Sequence, residues 1–293
     1  MRKKITGYHV FSCLNILFML GVTFVTFYPI YYIVVASISD PVALSQNYGL
    51  LWHPVGDITF QGYKMVFQNQ GVIAGFKNTL FILVTGVLIN MIMTTLGAFF
   101  LTIKGPKWKN VIAMMVVFTM YFNGGMVPSY LNVKELGLMN SIWSLILPGA
   151  ITTTNLIIMK TAFEGIPDSL TESAQLDGAT YWDVLWKIMI PLSKATLAVL
   201  VLYYGVAHWN SWFSASIYLQ DSAKYPLQLV LRNILLLSQV ENMAAGVDIW
   251  EITKFVELLK YAMVVIASMP IMIIYPFIQK HFTKGVMIGA VKG

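Results

Sequence analysis

Glu172-Ser-Ala-Gln-Leu-Asp-Gly178, followed ten residues later by Ile188-Met-Ile-Pro191, is the stretch whose residue types and spacing carry chemistry. That chemistry is recognition, not catalysis. Glu164, Asp168, Glu172, Asp177 and Asp183 stand against only Lys160 and Lys187. Pro167-Asp168-Ser169 opens a helix, and Ser169 and Glu172 have the Ser-x-x-Glu spacing of a capping box. Leu170, Ala174 and Leu176 give that helix an apolar side. Gly178 ends it, since glycine accepts the left-handed turn that stops a helix. Thr180 and Asp183 repeat the box for a second short helix, with Trp182, Leu185, Trp186 and Ile188 as its apolar face. Pro191 punctuates its end. The expectation is two short helices joined by a glycine elbow.

Two settings suit such a pair. One is a membrane surface, with Trp182 and Trp186 as anchors among the headgroups. The other is a groove on a soluble protein. Five carboxylates suit an anionic leaflet poorly, which favours the groove.

The elements on either side are apolar. The chain has 293 residues, 57% hydrophobic and 11% charged, with mean hydropathy +0.70. Soluble domains carry about 25% charge, so this much apolar surface calls for lipid as solvent. The net charge of +6 therefore orients the chain in a bilayer and does not point to nucleic acid. Cys13 is the single cysteine, which excludes an internal disulfide and a cysteine metal cluster.

Six runs, at about 11–37, 76–102, 110–130, 140–163, 192–216 and 259–281, are long enough to cross a hydrocarbon core of roughly 30 Å. The first is too long for a signal-peptide core and lacks a small-residue cleavage site. With both ends inside, the inner side holds Arg2, Lys3, Lys4, Lys104, Lys107, Lys109, Lys160, Lys187, Lys194, Lys280, Lys284 and Lys292, or 12 of the 19 Lys+Arg. That is the sense positive-inside sorting requires. It puts segment 164–191 inside and segments 38–75 and 217–258 outside. No internal repeat of the kind seen in secondary carriers is evident.

With types, spacing and side together, the segment resembles the EAA loop of permease subunits of ATP-binding-cassette importers. Glu172-Ser173-Ala174, Gly178, Ile188 and Ile190-Pro191 keep every spacing of that pattern, with Ser173 for Ala and Ile190 for Leu as the departures. His208-Trp-Asn-Ser-Trp212, Tyr225-Pro-Leu-Gln-Leu229, Asn78-Thr79 and the ending from Lys284 to Gly293 extend the likeness to the carbohydrate-uptake group, and within it to the maltose-importer G-type subunit and to permeases for polysaccharide-derived oligosaccharides. The resemblance implies an all-α membrane protein, a single permease domain of six transmembrane helices with the type I importer fold and cytoplasmic coupling helices. It implies a multi-pass subunit of the bacterial cytoplasmic membrane that pairs with a second homologous permease, two ATPase subunits and an extracytoplasmic solute-binding protein. Glu172, Ser173, Ala174, Asp177, Gly178, Ile188 and Pro191 become the coupling residues. The apolar tail from Lys284 to Gly293 becomes a contact with the ATPases. No G-x-x-x-x-G-K-[ST] occurs, so ATP and Mg belong to the partners and this chain is a transport subunit without a cofactor of its own.

Polar residues at membrane depth face a bundle interior or a water-filled path. Asn90, Asn123, Asn155, His208 and Asn210 are of this kind. Tyr204, His208 and Trp212, at i, i+4 and i+8, share a helical face, and aromatic rings beside amides suit sugars. The same stripe also suits helix packing. Asn123-Gly-Gly-Met-Val-Pro128 predicts a break in the third span. The candidate sugar path is thus Asn123, Asn155, Tyr204, His208, Asn210 and Trp212. No nucleophile or metal cluster supports an enzyme, and no mid-span carboxylate supports an ion-coupled carrier. An importer of the same architecture for a non-sugar solute is the alternative reading.

Overall fold

The computed structural model describes residues 7–47, 49–105, 107–241 and 259–276. The basic N-terminal residues Arg2, Lys3 and Lys4 and the tail from Lys284 to Gly293 lie outside them. All regular structure among the described residues is helical. The chain divides into two compact units, residues 1–69 with 233–268 and residues 70–232 with 269–293.

In the first unit, α1 (Gly7–Ser37) has 31 residues. At 1.5 Å per residue it is about 46 Å long, more than enough to span a bilayer core. Phe11, Leu14, Leu17, Phe18 and Val25 along it are all more than 60% exposed, which is the surface of a helix whose solvent is lipid. The following segment folds back on the end of this helix. The Tyr28 hydroxyl accepts from the Leu51 N–H at 2.8 Å, and the Tyr31 hydroxyl donates to the Trp52 carbonyl at 2.5 Å. The Trp52 ring lies against Phe24 and Tyr28. Asp40 caps α2 (Pro41–Gln46) by accepting from the N–H groups of Val42 and Ala43. α3 (Gln61–Gln68) is tied to α1 through the hydroxyls of Ser37 and Tyr63 at 2.7 Å.

The second unit is organised along α4 (Gln70–Thr102), 33 residues without a break. The next three apolar runs are not single helices. α5 (Lys109–Tyr121) and α6 (Met126–Glu135) meet at 119°. The 3-10 turns Ile142–Leu145 and Leu147–Gly149 lead into α7 (Thr153–Glu164) with a 46° bend. After α8 (Asp168–Leu176), α9 (Tyr181–Leu192) meets α10 (Lys194–Trp209) at 82°. α11 (Phe213–Tyr218) follows, and α12 (Leu227–Glu241) and α13 (Leu259–Pro276) each have residues in both units. α1, α4 and α13 are each long and apolar enough to cross a membrane, and the three bent pairs bring the spans to as many as six. Segment 217–258, read from sequence as a loop, thus contains a helix.

A break in lipid frees backbone groups that water cannot reach. Around the break before α7, side chains of α4 and α10 meet them. The Asn90 amide donates to the carbonyls of Gly149 (2.6 Å) and Ala150 (3.0 Å). Two carbonyls on its nitrogen leave its oxygen to accept from His208 Nε2 at 2.7 Å. The Thr152 N–H and hydroxyl both reach the Tyr204 hydroxyl at 3.3 Å, and that hydroxyl pairs with Thr94 at 2.7 Å. Asn90, Thr94 and Tyr204 are at most 3% exposed and His208 is 9% exposed. Gly86 makes room for this seam, because a Cβ there would lie 2.5 Å from His208 Nε2.

Gly86→Ala should therefore push the imidazole off Asn90 and destabilise the subunit by about 1–3 kcal/mol, the usual cost of overpacking. The check is the thermal midpoint in detergent. Gly205→Ala, whose Cβ would meet only Leu83 Cδ1 at 3.8 Å, serves as control. Equal midpoints for the two variants would mean that His208 is not held in this seat.

Candidate functional site

α8, the turn after it and α9 form the predicted elbow. Gly178 sits at φ +84°, a conformation that an L side chain rarely adopts, and its N–H and that of Ala179 return to the carbonyls of Gln175 and Ala174. The Thr180 box is formed in both directions: the Asp183 carboxylate accepts from the Thr180 N–H, and the Thr180 hydroxyl accepts from the Asp183 N–H. Ala174, Asp177, Gly178 and Ile188, with Ala179, Asp183 and Lys187, line a hollow of about 350 Å³ at this elbow. Ser173 contributes the carbonyl that receives the Asp177 N–H, and Pro191 lies in the last turn of α9.

The inner side of the elbow belongs to the core. Val184, Leu185 and Met189 are at most 4% exposed and pack with Ala98, Phe99 and Leu101 of α4, Leu156, Met159 and Phe163 of α7, and Leu200 of α10. Ala174, Ala179 and Ile190 pack against that cluster. The outer side presents Leu176, Tyr181, Trp182 and Trp186, each more than half exposed.

Two sequence expectations need correction here. The Ser169–Glu172 box does not form. The helix starts two residues earlier, with Pro167 in place of Ser169 at the cap position, so Ser169 is already inside it and no side chain caps that end. Glu172 pairs instead with Lys104 at 2.9 Å, and Lys104 also holds Asp168 at 2.7 Å. Trp182 and Trp186 do not share a buried face with Leu185. A π turn over Leu185–Met189 changes the residue spacing per turn, so a face drawn with 3.6 residues per turn assigns them wrongly. Lys104 and Asp168 were absent from the predicted site. The signal was the basic run Lys104–Lys109 lying across the chain from an acidic segment.

Charge follows the geometry. The Lys104 ammonium is raised above its ordinary 10.5 by hydrogen bonds to Asp168 and Glu172. The Asp183 carboxyl is held well below its ordinary 3.8 by Lys187, then by Thr180.

The candidate path residues do not come together as one face. Tyr204, His208 and Asn155 are buried, the first two in the seam. α10 ends at Trp209, so Trp212 lies beyond the helix and off the Tyr204–His208 face. Asn123 is exposed and accepts from the Gly125 N–H at the break before α6. Asn210 is exposed at the end of α10, and Trp212 is 37% exposed beneath the Arg232 guanidinium, whose Cζ lies 4.5 Å from its ring centroid. Among the described residues no group of three His, Cys, Asp or Glu side chains is placed to hold a metal.

The profile of the family described as "Binding-protein-dependent transport system inner membrane component" matches residues 9–288. The chain belongs to this family. Protein LplC of Bacillus subtilis (strain 168) is 40% identical over 284 residues, covering 97% of this chain and 95% of its own. The polygalacturonan/rhamnogalacturonan transport system permease protein YtcP of the same organism is 40% identical over 240 residues, covering 80% and 82%. Among solved structures, a chain of a bacterial ABC transporter involved in the import of the acidic polysaccharide alginate superposes with TM-score 0.86 at 30% identity, covering 96% of this chain and all of that one. The chain is thus a permease of this transport family.

The two ionic ties have opposite pH senses. Asp183 is depressed, so its contribution is present above its ordinary value and is lost only as pH falls through the lower folded value. Lys104 is raised, so its contribution is present below 10.5 and is lost only as pH climbs through the higher folded value. Between about pH 5 and 9 neither should titrate. Amide exchange at Asp183, corrected for intrinsic rates, should be flat over that window. Thr180→Val should speed it roughly fivefold, the equivalent of a typical N-cap. A pH-dependent wild type or an unaffected variant would show that the box does not hold the elbow.

Proposed function

We propose that this permease passes oligosaccharides, supplied by an extracytoplasmic binding protein, across the cytoplasmic membrane, driven by ATP hydrolysis on two partner ATPase subunits and beside a second homologous permease. The observation that carries this reading is the elbow. A left-handed glycine, a locked capping box and an apolar inner face fix a hollow and an exposed aromatic rim to the core of the helix bundle. A partner gripping that rim moves α4, α7 and α10 with it. The family's dependence on a binding protein, and the sugar-related names of its relatives, support the cargo class. Both ends of the chain and segment 164–191 lie on the cytoplasmic side in this reading, and the turn at 219–226 lies outside. Glu172, Ser173, Ala174, Asp177, Gly178, Ile188 and Pro191 form the coupling surface, and the tail from Lys284 to Gly293 reaches the same ATPases. Of the path candidates, Asn210 and Trp212 keep surface for a sugar. Tyr204 and His208 use their polar atoms on the fold, and Asn123 caps a break.

In proteoliposomes holding the complete importer, Gly178→Val should leave the subunit inserted and assembled but reduce sugar-stimulated ATP hydrolysis and uptake at least about tenfold. The strained φ of a β-branched residue there would collapse the elbow. Normal stimulation would refute the coupling role. A cysteine at Ser222, in a Cys13→Ser background, should react with an impermeant maleimide added to intact cells; reaction only after lysis would invert the topology.

A further inference from the structure

Arg232 is a cation whose placement neither orientation nor the elbow explains. Of the 19 Lys+Arg, only Arg2 and Arg232 are arginines. Arginine differs from lysine in offering a planar fork of donors that matches a carboxylate in two hydrogen bonds, and in stacking on aromatic rings.

The fold prepares this side chain. The backbone on its N-terminal side is clamped to α4: the Leu227 N–H donates to the Thr79 hydroxyl at 2.8 Å, and the Asn78 amide holds the carbonyls of Ala223 (2.8 Å) and Tyr225 (3.1 Å). Leu227, Leu229 and Leu231 are at most 9% exposed. The Val230 side chain lies against Gly75, where a Cβ would be 3.1 Å away. Arg232 follows directly and is half-buried, with Cζ 4.5 Å from the centroid of Trp212. The indole is itself propped edge-on by Phe213 at 5.5 Å. A cation–π contact occupies one face of the guanidinium and leaves its in-plane N–H groups unspent. Among the described residues no carboxylate lies within 4 Å of it. Trp212 remains 37% exposed, and the exposed amide of Asn210 stands two residues before it. An aromatic ring, an exposed amide and a guanidinium fork with no carboxylate partner among the described residues, at one helix break, suit a sugar that carries a carboxylate.

We infer that Arg232, held over Trp212, receives the carboxylate of a uronate-bearing oligosaccharide and so selects acidic over neutral cargo. This rests on the oligosaccharide reading above and narrows it. The position agrees with its direction of transport. Gly75 and Thr79, which seat α12, lie near the opposite end of α4 from Lys104, about 40 Å away along the helix. The fork therefore faces the side from which the binding protein delivers. A carboxylate arriving there exchanges water for two charge-assisted hydrogen bonds, while the sugar ring meets the free edge of the indole.

The competing role for Arg232 is a structural charge beside the C-terminal end of α10, which a lysine would fill as well. The test uses the complete importer in proteoliposomes, with trigalacturonate and its methyl ester as probes. Each variant is compared with wild type for the same probe, so that differences in delivery by the binding protein cancel. Arg232→Gln should raise the KM for trigalacturonate about tenfold or more, the scale on which a site built around a hydrogen-bonding group discriminates, with less than a twofold change for the ester. Arg232→Lys should retain the loss, because the fork is gone although the charge remains. Rescue by lysine, or equal losses for both probes, would overturn the inference in favour of a structural charge. A wild type that takes up neutral oligosaccharides but not trigalacturonate would overturn it too, leaving the oligosaccharide reading intact. A wild type stimulated by no oligosaccharide would instead refute the proposed function itself.

Discussion

A helix that breaks inside lipid must find hydrogen bonds for the carbonyls and N–H groups it frees, and most of the second unit is arranged around that demand. α4 runs through unbroken. It supplies Asn90 to the carbonyls at 149 and 150, Thr94 to the hydroxyl that serves Thr152, and Asn78 and Thr79 to the turn and helix start at 223–227. Interhelical hydrogen bonds in membranes average only about 0.6 kcal/mol. Their role here is less net stability than register, since a shift of α7 or α10 along α4 would leave several buried groups unpaired at once.

That register gives the elbow its leverage. Leu185 and Met189 sit in the cluster that holds Phe99 of α4 and Phe163 of α7. Tight packing passes displacement on and does not absorb it. The ionic ties from Lys104 to Asp168 and Glu172 are exposed and, by themselves, weak. They set the angle of α8, while the apolar inner face carries force.

Local chemistry was readable in the sequence and distant pairing was not. Gly178 and the Thr180–Asp183 box announce themselves within a few residues, and both are present. The Ser169 box failed because a helix start two residues earlier, behind Pro167, turned a cap into an interior residue. The Trp182–Trp186 face failed because a π turn is invisible to a 3.6-residue wheel. The Tyr204–His208–Trp212 stripe failed because the helix stops at Trp209. Asn90 stood out as a costly polar residue, but its partners are 59 and 60 residues away, and no periodicity carries that information. Lys104 counted as an orientation signal while its ion pairs, across 64 and 68 residues, went unseen.

The same broken helices explain where a ligand can be met. A continuous apolar helix has no free backbone and little reason to carry polar side chains, so α1 and most of α4 offer sugars nothing. Each break imports amides, hydroxyls and aromatic edges to satisfy itself. The break before α7 spends all of them inward, because Asn90, His208 and Tyr204 close on one another and on the backbone. The break after α10 does not. The N–H groups of Asn210 and Ser211 close the end of α10 on the carbonyls of Val206 and His208, and the Asn210 amide and the Trp212 ring stay exposed. In the reading proposed above, cargo meets the break whose amide and aromatic ring stay exposed.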